Sequence, residues 1–279
     1  MFYIFTALFS EAKPFISQLG LKKAPYPDRH PVYASPDQDY LLAVTGSGPV
    51  SAAIVSSAVF TCRPPVPGDH IVNIGICAGL DTARSGDCFL CSSITETDTG
   101  RSYYPDLLWK NGFPEAALAS GSRILKNTAD WPIPSVQGNL PLLYDMEAAA
   151  IYQSAAVYAG PHQISFLKIV SDKGDGMFPT SEEVRVLIEN QLPAVIQYIG
   201  NLPTDTERPP DLPLFDQLSE DLHCSVSMQQ ILRQYLTWAA LSGISMEDKI
   251  HLFYESGILP CKDRKEGKKI LEQFKSQLF

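Results

Sequence analysis

Long apolar runs are absent from this sequence of 279 residues. No run approaches the roughly 18 residues that a membrane-spanning helix requires. The first run, residues 2–8, has no basic segment before it and no small-residue cleavage site after it, so we predict a strand there and not a secretory leader. These absences predict a cytoplasmic protein with no membrane partner.

Positive charge is also scarce. The chain has 22 Lys and Arg against 31 Asp and Glu, a net charge of -9 at neutral pH. Such a chain repels phosphate backbones unless one face is locally basic. We therefore expect no nucleic-acid partner.

Metal-ligand spacing is missing as well. The histidines are scattered, and Cys88 and Cys91 form the only CxxC, with no second pair or neighbouring His to complete four ligands. The six cysteines, several of them inside apolar runs, fit buried thiols in a reducing compartment better than a disulfide framework. We expect no metal and no organic cofactor.

Short apolar runs alternate with helix-like segments, which predicts an α/β sheet with covering helices. The runs are nearly continuous in hydrophobicity, so we expect both faces of the sheet to be buried. Predicted strands are 2–8, 40–45, 70–75, 88–94 and 164–170. Predicted helices are 10–20, 49–60, 146–160 and 180–200.

The composition changes near residue 201. Residues 201–213 carry four prolines and several charges, which is typical of a linker. Beyond them, apolar residues recur three and four apart behind Ser or Asp at possible N-caps. We predict two domains, an α/β domain over 1–203 and a small all-helical module over 204–279.

Carboxylates and glycine turns follow four of the predicted strands. In open α/β sheets, ligands bind where strands reach their carboxyl ends, so these groups are expected to meet. They are Glu11, the turn "TGSGPV" (45–50), the turn "GICAGL" (75–80), and "SDKGDG" (171–176) with Ser171 and Asp172. A further acidic pair, Asp145 and Glu147, flanks Met146 at a predicted helix start.

Each feature also has a purely structural explanation. Glu11 and Glu147 could offset helix dipoles, and Asp145 and Asp172 could cap helices. The glycine turns could serve only tight packing, and Met146 could fill a gap in the core. Independent accidents are not expected to recur at several adjacent strand ends, so the set together favours a binding site.

The chain resembles a known family at these residues. "ALFSEAKPF", "VTGSGPVSAAI", "VNIGICAGL", "DMEAAAI" and "VSDKGDG" occur in the order and approximate spacing of the nucleoside phosphorylase superfamily. The sequence is most similar to its hydrolase branch, the 5′-methylthioadenosine/S-adenosylhomocysteine nucleosidases. The resemblance covers about residues 1–200 and implies a three-layer phosphorylase/hydrolase-like fold with a central twisted mixed sheet. It also implies a purine nucleoside substrate and a homodimer or larger homo-oligomer.

The resemblance assigns roles to the acids. Glu147 would accept hydrogen bonds from the ribose hydroxyls, Met146 would pack against the nucleoside, and Asp145 would be mainly a helix-start residue. Asp172 would protonate or hydrogen-bond the purine's imidazole nitrogen, and Glu11 would hold and activate water. The remaining candidate substrate contacts are Ser47, Gly48, Cys77, Ala78, Gly79, Ile124, Leu125 and Ser171.

These residue types suit cleavage of an N-glycosidic bond. The departing base gains negative charge while the sugar gains positive charge, so a proton supplied by Asp172 lowers the barrier. An ordinary aspartate is rarely protonated at neutral pH, so we predict a partly dehydrated site around Asp172. A carboxylate at Glu11 near the anomeric carbon would favour the cationic transition state and take the water's proton.

The sequence favours water over phosphate as nucleophile. A phosphorylase holds phosphate with arginines, whereas the first turn carries Glu11 and no Arg precedes Arg29. The chain also departs from the family, because Ser122 replaces the usual acid in "SGSRILKN". Ile124 and Leu125 either flank the base or belong to a strand core.

We therefore predict hydrolysis of a 5′-modified or 5′-deoxy adenosine, such as methylthioadenosine, S-adenosylhomocysteine or 5′-deoxyadenosine, with release of adenine. The alternatives are a phosphate-dependent phosphorylase and a non-catalytic nucleoside-binding or scaffold protein. The aromatic segment 101–113 forms a lid or wall for the substrate's 5′ group, a dimer contact or a satellite core. The basic run 261–269 is either a solvated face or a docking surface for a protein partner.

Overall fold

A computed structural model describes residues 1–24, 30–80, 82–109, 111–131, 140–204, 212, 214–241 and 247–278. Contacts between Cα atoms divide the chain into two compact units, Met1–Thr204 and Asp205–Phe279. Most of the predicted linker and most of the predicted irregular segment before residue 141 lie outside the described residues.

The first unit is built on one mixed sheet. Its neighbouring strands follow the order β10-β6-β8-β9-β5-β1-β4-β3-β2, and β7 pairs with β6. The strands are β1 Phe2–Thr6, β2 Lys22–Lys23, β3 Val32–Ala34, β4 Tyr40–Val44, β5 His70–Gly79, β6 Cys88–Glu96, β7 Ser102–Tyr103, β8 Glu115–Ser120, β9 Leu142–Asp145 and β10 Ile164–Asp172. The helices are α1 Phe9–Gln18, α2 Pro49–Cys62, α3 Ala148–Ala155 and α4 Ser181–Gly200.

Alternation along the strands produces a core on each face of the sheet. Tyr3 and Phe5 of β1 pack in a cluster with the apolar residues of α2 and α3. Phe2 and Ile4 of the same strand pack in a second cluster with α1 and α4. Successive side chains of a strand point to opposite faces, so one apolar run supplies both cores. The predicted α/β class, a mixed sheet with covering helices, is confirmed.

Part of the sheet closes on itself, which corrects the prediction of a simple layered sheet. The ring runs β5-β9-β8-β6-β10 and returns to β5 through an additional β5–β10 pairing. Strand β5 is longer than β1, and the two pair only over the first residues of β5, His70 to Asn73. Strand β9 pairs with the far end of β5, at Ala78 and Gly79. The part of β5 that extends beyond β1 therefore pairs with β9, and this pairing allows the ring to close.

Among its described residues, the second unit contains four helices, α5 Phe215–Asp221, α6 Val226–Leu241, α7 Glu247–Glu255 and α8 Arg264–Leu278. They share a core that includes Leu218, Leu222, Leu232, Phe253 and Phe274. That residues 204–279 form a module with a role of its own stays a prediction. No described helix is long and apolar enough to cross a membrane.

Candidate active site

A cavity of about 230 Å³ opens where β1, β5 and β10 end and α3 begins. Strand ends from distant parts of the chain meet there, as expected for a ligand site in an α/β fold. The predicted residues that line it are Glu11, Ser47, Cys77, Ala78, Ile124, Leu125, Met146, Glu147, Ser171 and Asp172.

Glu11 is fixed by backbone donors on two elements. Its Oε2 accepts from the N–H groups of Ala7 and Leu8, each at 2.8 Å, and its Oε1 accepts from Ile76 N–H at 2.8 Å. The residue is 1% exposed, and burial raises its pKa even though these bonds oppose the shift. Both Ala7 and Leu8 precede α1, so Glu11 also secures the start of its own helix. A carboxylate accepts about four hydrogen bonds, so Oε1 keeps one acceptor position.

A glycine in β5 leaves room for the Glu11 carboxylate. A Cβ atom at Gly75 would lie 2.8 Å from Glu11 Oε1. Only glycine leaves the carboxylate at hydrogen-bond distance from the next N–H of the strand. The segment "GICAGL", predicted as a turn, is instead the end of β5 up to Gly79. It contributes through its backbone as well as through the cavity-lining Cys77 and Ala78.

Glu147 lies before α3 and is 8% exposed. Its Oε1 accepts from Gly48 N–H at 2.7 Å, which joins the turn before α2 to the start of α3. Burial, followed by repulsion from Asp145, raises the pKa of Glu147 to about 7. Lys168 and the Gly48 N–H act in the opposite direction. The side chain therefore titrates near neutral pH.

Asp145 and Lys168 form a buried ion pair beside Glu147. Lys168 Nζ lies 2.7 Å from Asp145 Oδ2, and the two side chains are 2% and 1% exposed. The same oxygen accepts from Ala148 N–H at 2.9 Å, as expected for a helix-start residue. Burial disfavours the ammonium of Lys168, but Asp145 and Glu147 outweigh that effect and hold its pKa above the ordinary value. Lys168 was not predicted as a site residue, although a lysine inside the apolar run "ISFLKIV" was a usable signal.

Asp172 lies at a change of register between β10 and β5, next to Ser171. Its Oδ1 accepts from Gly174 N–H at 2.8 Å, and Ser171 Oγ lies 2.6 Å from its Oδ2. The residue is half-buried and lines the cavity. Its carboxyl is thus oriented by its own turn, with part of its surface still open to a ligand.

One wall of the cavity is apolar and aromatic. Leu125 and Tyr144 pack with Trp131 and the partly buried Met146 in one cluster, and the Tyr144 hydroxyl donates to the Arg123 carbonyl. Ile124 and Leu125 lie in a loop after β8 and not in a strand. Tyr144 and Phe178 also line the cavity and were not predicted. Flat, apolar side chains of this kind suit a purine ring.

Two predicted residues do not line the cavity. Gly48 acts through its N–H on Glu147, as described above. A Cβ atom at Gly79 would lie 2.8 Å from Val170 Cγ1 and 2.9 Å from Ala83 Cβ, so this glycine serves packing inside the sheet. The described residues of the segment 101–113 do not line the cavity either.

The cavity is lined by acids and not by cations. Glu11, Asp145, Glu147 and Asp172 line it, and no described lining residue is Lys or Arg. Four arginines elsewhere in this unit are all exposed: Arg63, Arg84, Arg101 and Arg123. Among the described residues, no cluster of His, Cys, Asp or Glu is arranged to hold a metal ion.

A comparison with curated proteins finds one nucleosidase that is similar to this chain. The 5′-methylthioadenosine nucleosidase of Arabidopsis thaliana is 28% identical over an alignment of 234 residues that covers 70% of this chain and 85% of that protein. No protein-family model matches the chain. This chain is similar in sequence to the nucleosidases. The resemblance predicted from the sequence is confirmed.

Solved structures show the same fold at low identity. The methylthioadenosine/S-adenosylhomocysteine nucleosidase of Neisseria meningitidis, in complex with methylthio-immucillin-A, superposes with a TM-score of 0.56 at 17% identity. The Campylobacter jejuni nucleosidase gives 0.57 at 15% identity, and the futalosine hydrolase of Helicobacter pylori gives 0.55 at 11%. The matches cover 71–72% of this chain and 97% of each structure. The rest of this chain has no counterpart in them.

Proposed function

We propose that this protein hydrolyses the N-glycosidic bond of a 5′-modified or 5′-deoxy adenosine and releases adenine. The observation that carries the proposal is that Glu11, Glu147 and Asp172, distant in sequence, line one cavity. Methylthioadenosine is the first substrate to test, because the Arabidopsis relative is named for its action on it.

Each acid has a role that fits its surroundings. Glu147 accepts hydrogen bonds from the sugar hydroxyls, and its anchor at Gly48 fixes its direction. Asp172 supplies a proton to the purine as the bond to the sugar breaks. Glu11 holds a water at its remaining acceptor position and takes its proton. The raised pKa of Glu11 strengthens it as a base.

Water is favoured over phosphate because of the charge of the site. A phosphate dianion beside the sugar would meet four lining carboxyls and no lining Lys or Arg among the described residues. Phosphorylases require cations that make strong contacts to phosphate oxygens. The proposal is therefore a hydrolase.

One assay tests the proposal. The protein is incubated with methylthioadenosine, S-adenosylhomocysteine, 5′-deoxyadenosine, adenosine, inosine and futalosine, with and without phosphate, and the sugar product is identified. Free sugar in the absence of phosphate supports the hydrolase. Sugar 1-phosphate formed only with phosphate would identify a phosphorylase. Nucleoside binding without any base release would identify a binding protein.

A homo-oligomer is part of the proposal. The outer face of α2 exposes Val50 and Ile54 followed by Ser57 and Thr61, and Tyr158 adjoins Thr61 with their hydroxyl oxygens 3.4 Å apart. Val50 is 71% exposed and Ile54 is 55% exposed. Adjacent exposed apolar residues of this kind mark interaction surfaces, and a second copy of the chain is the partner we propose.

The cellular location of the protein and the role of its C-terminal helical region are also proposals. All six cysteines are free thiols, which supports a reducing compartment such as the cytoplasm. In α8, Arg264, Lys265, Lys268 and Lys269 are exposed, which supports an acidic protein partner for the helical region.

A further inference from the structure

The ion pair between Asp145 and Lys168 calls for an explanation other than stability. Replacing a buried ion pair by apolar residues is often neutral or stabilising, because removing two charges from water costs about as much as their attraction returns. This pair is almost fully buried, with side chains that are 2% and 1% exposed. Its position beside Glu147 points to the reaction.

The helix start does not explain the charge at position 145. Asp145 Oδ2 accepts from Ala148 N–H at 2.9 Å, but Ser120 Oγ accepts from Ala149 N–H at 3.1 Å without any charge. The second oxygen of Asp145, Oδ1, is buried and has no hydrogen-bond partner among the described residues. A neutral side chain would therefore meet the structural need of α3.

The charges that act on Glu147 come from several elements. Asp145 from β9 and Glu11 from α1 disfavour its ionised form, whereas Lys168 from β10 and the Gly48 N–H favour it. Two thiols, Cys77 of β5 and Cys91 of β6, also interact with Lys168, but burial raises the pKa of both and keeps them neutral. Lys168 is therefore the cation that opposes the acids of this site.

We propose that Asp145 and Lys168 are a positioning pair: their ion pair ties β10 to the start of α3, and their opposed charges set how readily the Glu147 carboxylate ionises to accept the sugar hydroxyls. Asp145 keeps the ammonium in place and ties it to the start of α3. Lys168 in turn opposes Asp145 and Glu11, which both disfavour the ionised form of Glu147. The inference rests on the proposed hydrolase function and adds to it two residues that act through Glu147.

Two substitutions that act in opposite directions test the pair. Asp145→Asn removes a negative charge, so the acid limb of kcat/KM for methylthioadenosine should move to lower pH. Lys168→Met removes the positive charge, so the same limb should move to higher pH. Each shift should be about one pH unit, as for charges a few ångströms from a carboxyl. Lys168→Arg keeps the charge and should restore the wild-type limb.

Controls separate this role from a structural one. Ser120→Ala removes a comparable bond at the start of α3 and should lower the melting temperature without moving the limb. In a Glu147→Gln background the limb of Glu147 should be absent, and neither charge substitution should shift any limb that remains, because the group they act through is gone. Shifts that persist there would assign the effect to Glu11 and overturn the proposal.

The remaining outcomes are also decisive. If both substitutions shift the acid limb in the same direction, or if Asp145→Asn does not shift it, the pair has only a structural role. If Lys168→Met does not fold, the proposal is decided by comparing the acid limb of Asp145→Asn with that of Ser120→Ala. If the wild type releases no base, the hydrolase proposal fails on its own. The pair is then tested by the pH dependence of methylthioadenosine binding, with the same opposite shifts expected. An absence of binding would overturn the sugar-holding role as well.

Discussion

Asp172 is the residue at which proton transfer and binding can be separated. In Asp172→Asn the amide oxygen can still accept from Gly174 N–H, but the side chain can no longer donate an acidic proton. We expect kcat to fall by about 10²- to 10⁴-fold, with KM changed only a few-fold. Asp175→Asn is the matched control, because Asp175 accepts from Met177 N–H in the same kind of turn but does not line the cavity. Full activity in Asp172→Asn would contradict the assignment.

Glu147 predicts how activity depends on pH. Its pKa is raised from 4.5 to about 7, so the ionised carboxylate, which we propose accepts the sugar hydroxyls, forms as pH rises through neutrality. We expect kcat/KM to increase with an acid limb near pH 7. Glu147→Gln should lower kcat/KM and remove that limb.

The same shift has a consequence for stability. Because the folded state binds this proton more tightly than the unfolded state, the contribution is present below about pH 4.5 and is lost as pH rises through about 7. Glu147→Gln should therefore gain stability relative to the wild type between pH 5 and pH 8. An unchanged difference in melting temperature across that range would contradict the raised pKa.

Single residues differ in how far the sequence could reveal them. Glu11, Glu147 and Asp172 follow or precede recognisable elements, so their meeting at one edge was predictable. The link from Gly48 N–H to Glu147 joins two turns far apart in the chain, and no local pattern encodes it. Lys168 carried a signal as a charge inside an apolar run, but only the fold shows that its partner is Asp145.

At the scale of the element, β5 depends on a glycine at one position. Gly75→Ala would place Cβ 2.8 Å from Glu11 Oε1 and push the carboxylate away from Ile76 N–H. Overpacking of this kind costs about 1–3 kcal/mol, and we expect at least a tenfold loss of kcat/KM. Gly112→Ala is the control, because nothing lies within 4 Å of the added methyl group. Equal activity in the two variants would show that Gly75 is not needed to position the Glu11 carboxylate.

The long, apolar strands and helices were predictable, and the short elements were not. Strands β1, β4, β5, β6 and β10 lie at the predicted runs, because continuous apolar sequence is a strong signal. Strands β8 and β9 consist of small or mixed residues and gain their pairing from neighbours, so the sequence gives little sign of them. Closure of the ring depends on the overhang of β5, which is a property of pairing length and not of composition.

Helix α8 offers a second test at this scale. Gly267 lies inside the helix, and a Cβ atom there would lie 1.8 Å from the Leu222 carbonyl oxygen. Although alanine favours helices by about 1 kcal/mol over glycine, this clash forces α8 away from the chain at Leu222. We expect Gly267→Ala to increase hydrogen exchange across α8.

The control for α8 is Gly200→Ala in α4, where nothing lies within 4 Å of the new methyl group. That variant should be neutral or slightly stabilising. Unchanged exchange in Gly267→Ala would show that α8 can move without loss of packing.

At the scale of the whole molecule, the exposed face of α2 is the contact that we propose between two copies of the chain. Val50 and Ile54 are 71% and 55% exposed and lie one turn apart, just after the turn that contributes Ser47 and Gly48 to the site. Burying such residues against a second copy would contribute roughly 1.5–3 kcal/mol for each large side chain. Ile54→Lys would place a charge in that contact, so light scattering should show a shift from oligomer to monomer. Leu252→Lys is the control, because Leu252 of α7 is 60% exposed but lies in the other unit. A wild type that is monomeric at micromolar concentration, or an Ile54→Lys variant that keeps the wild-type mass, would exclude this face as the contact.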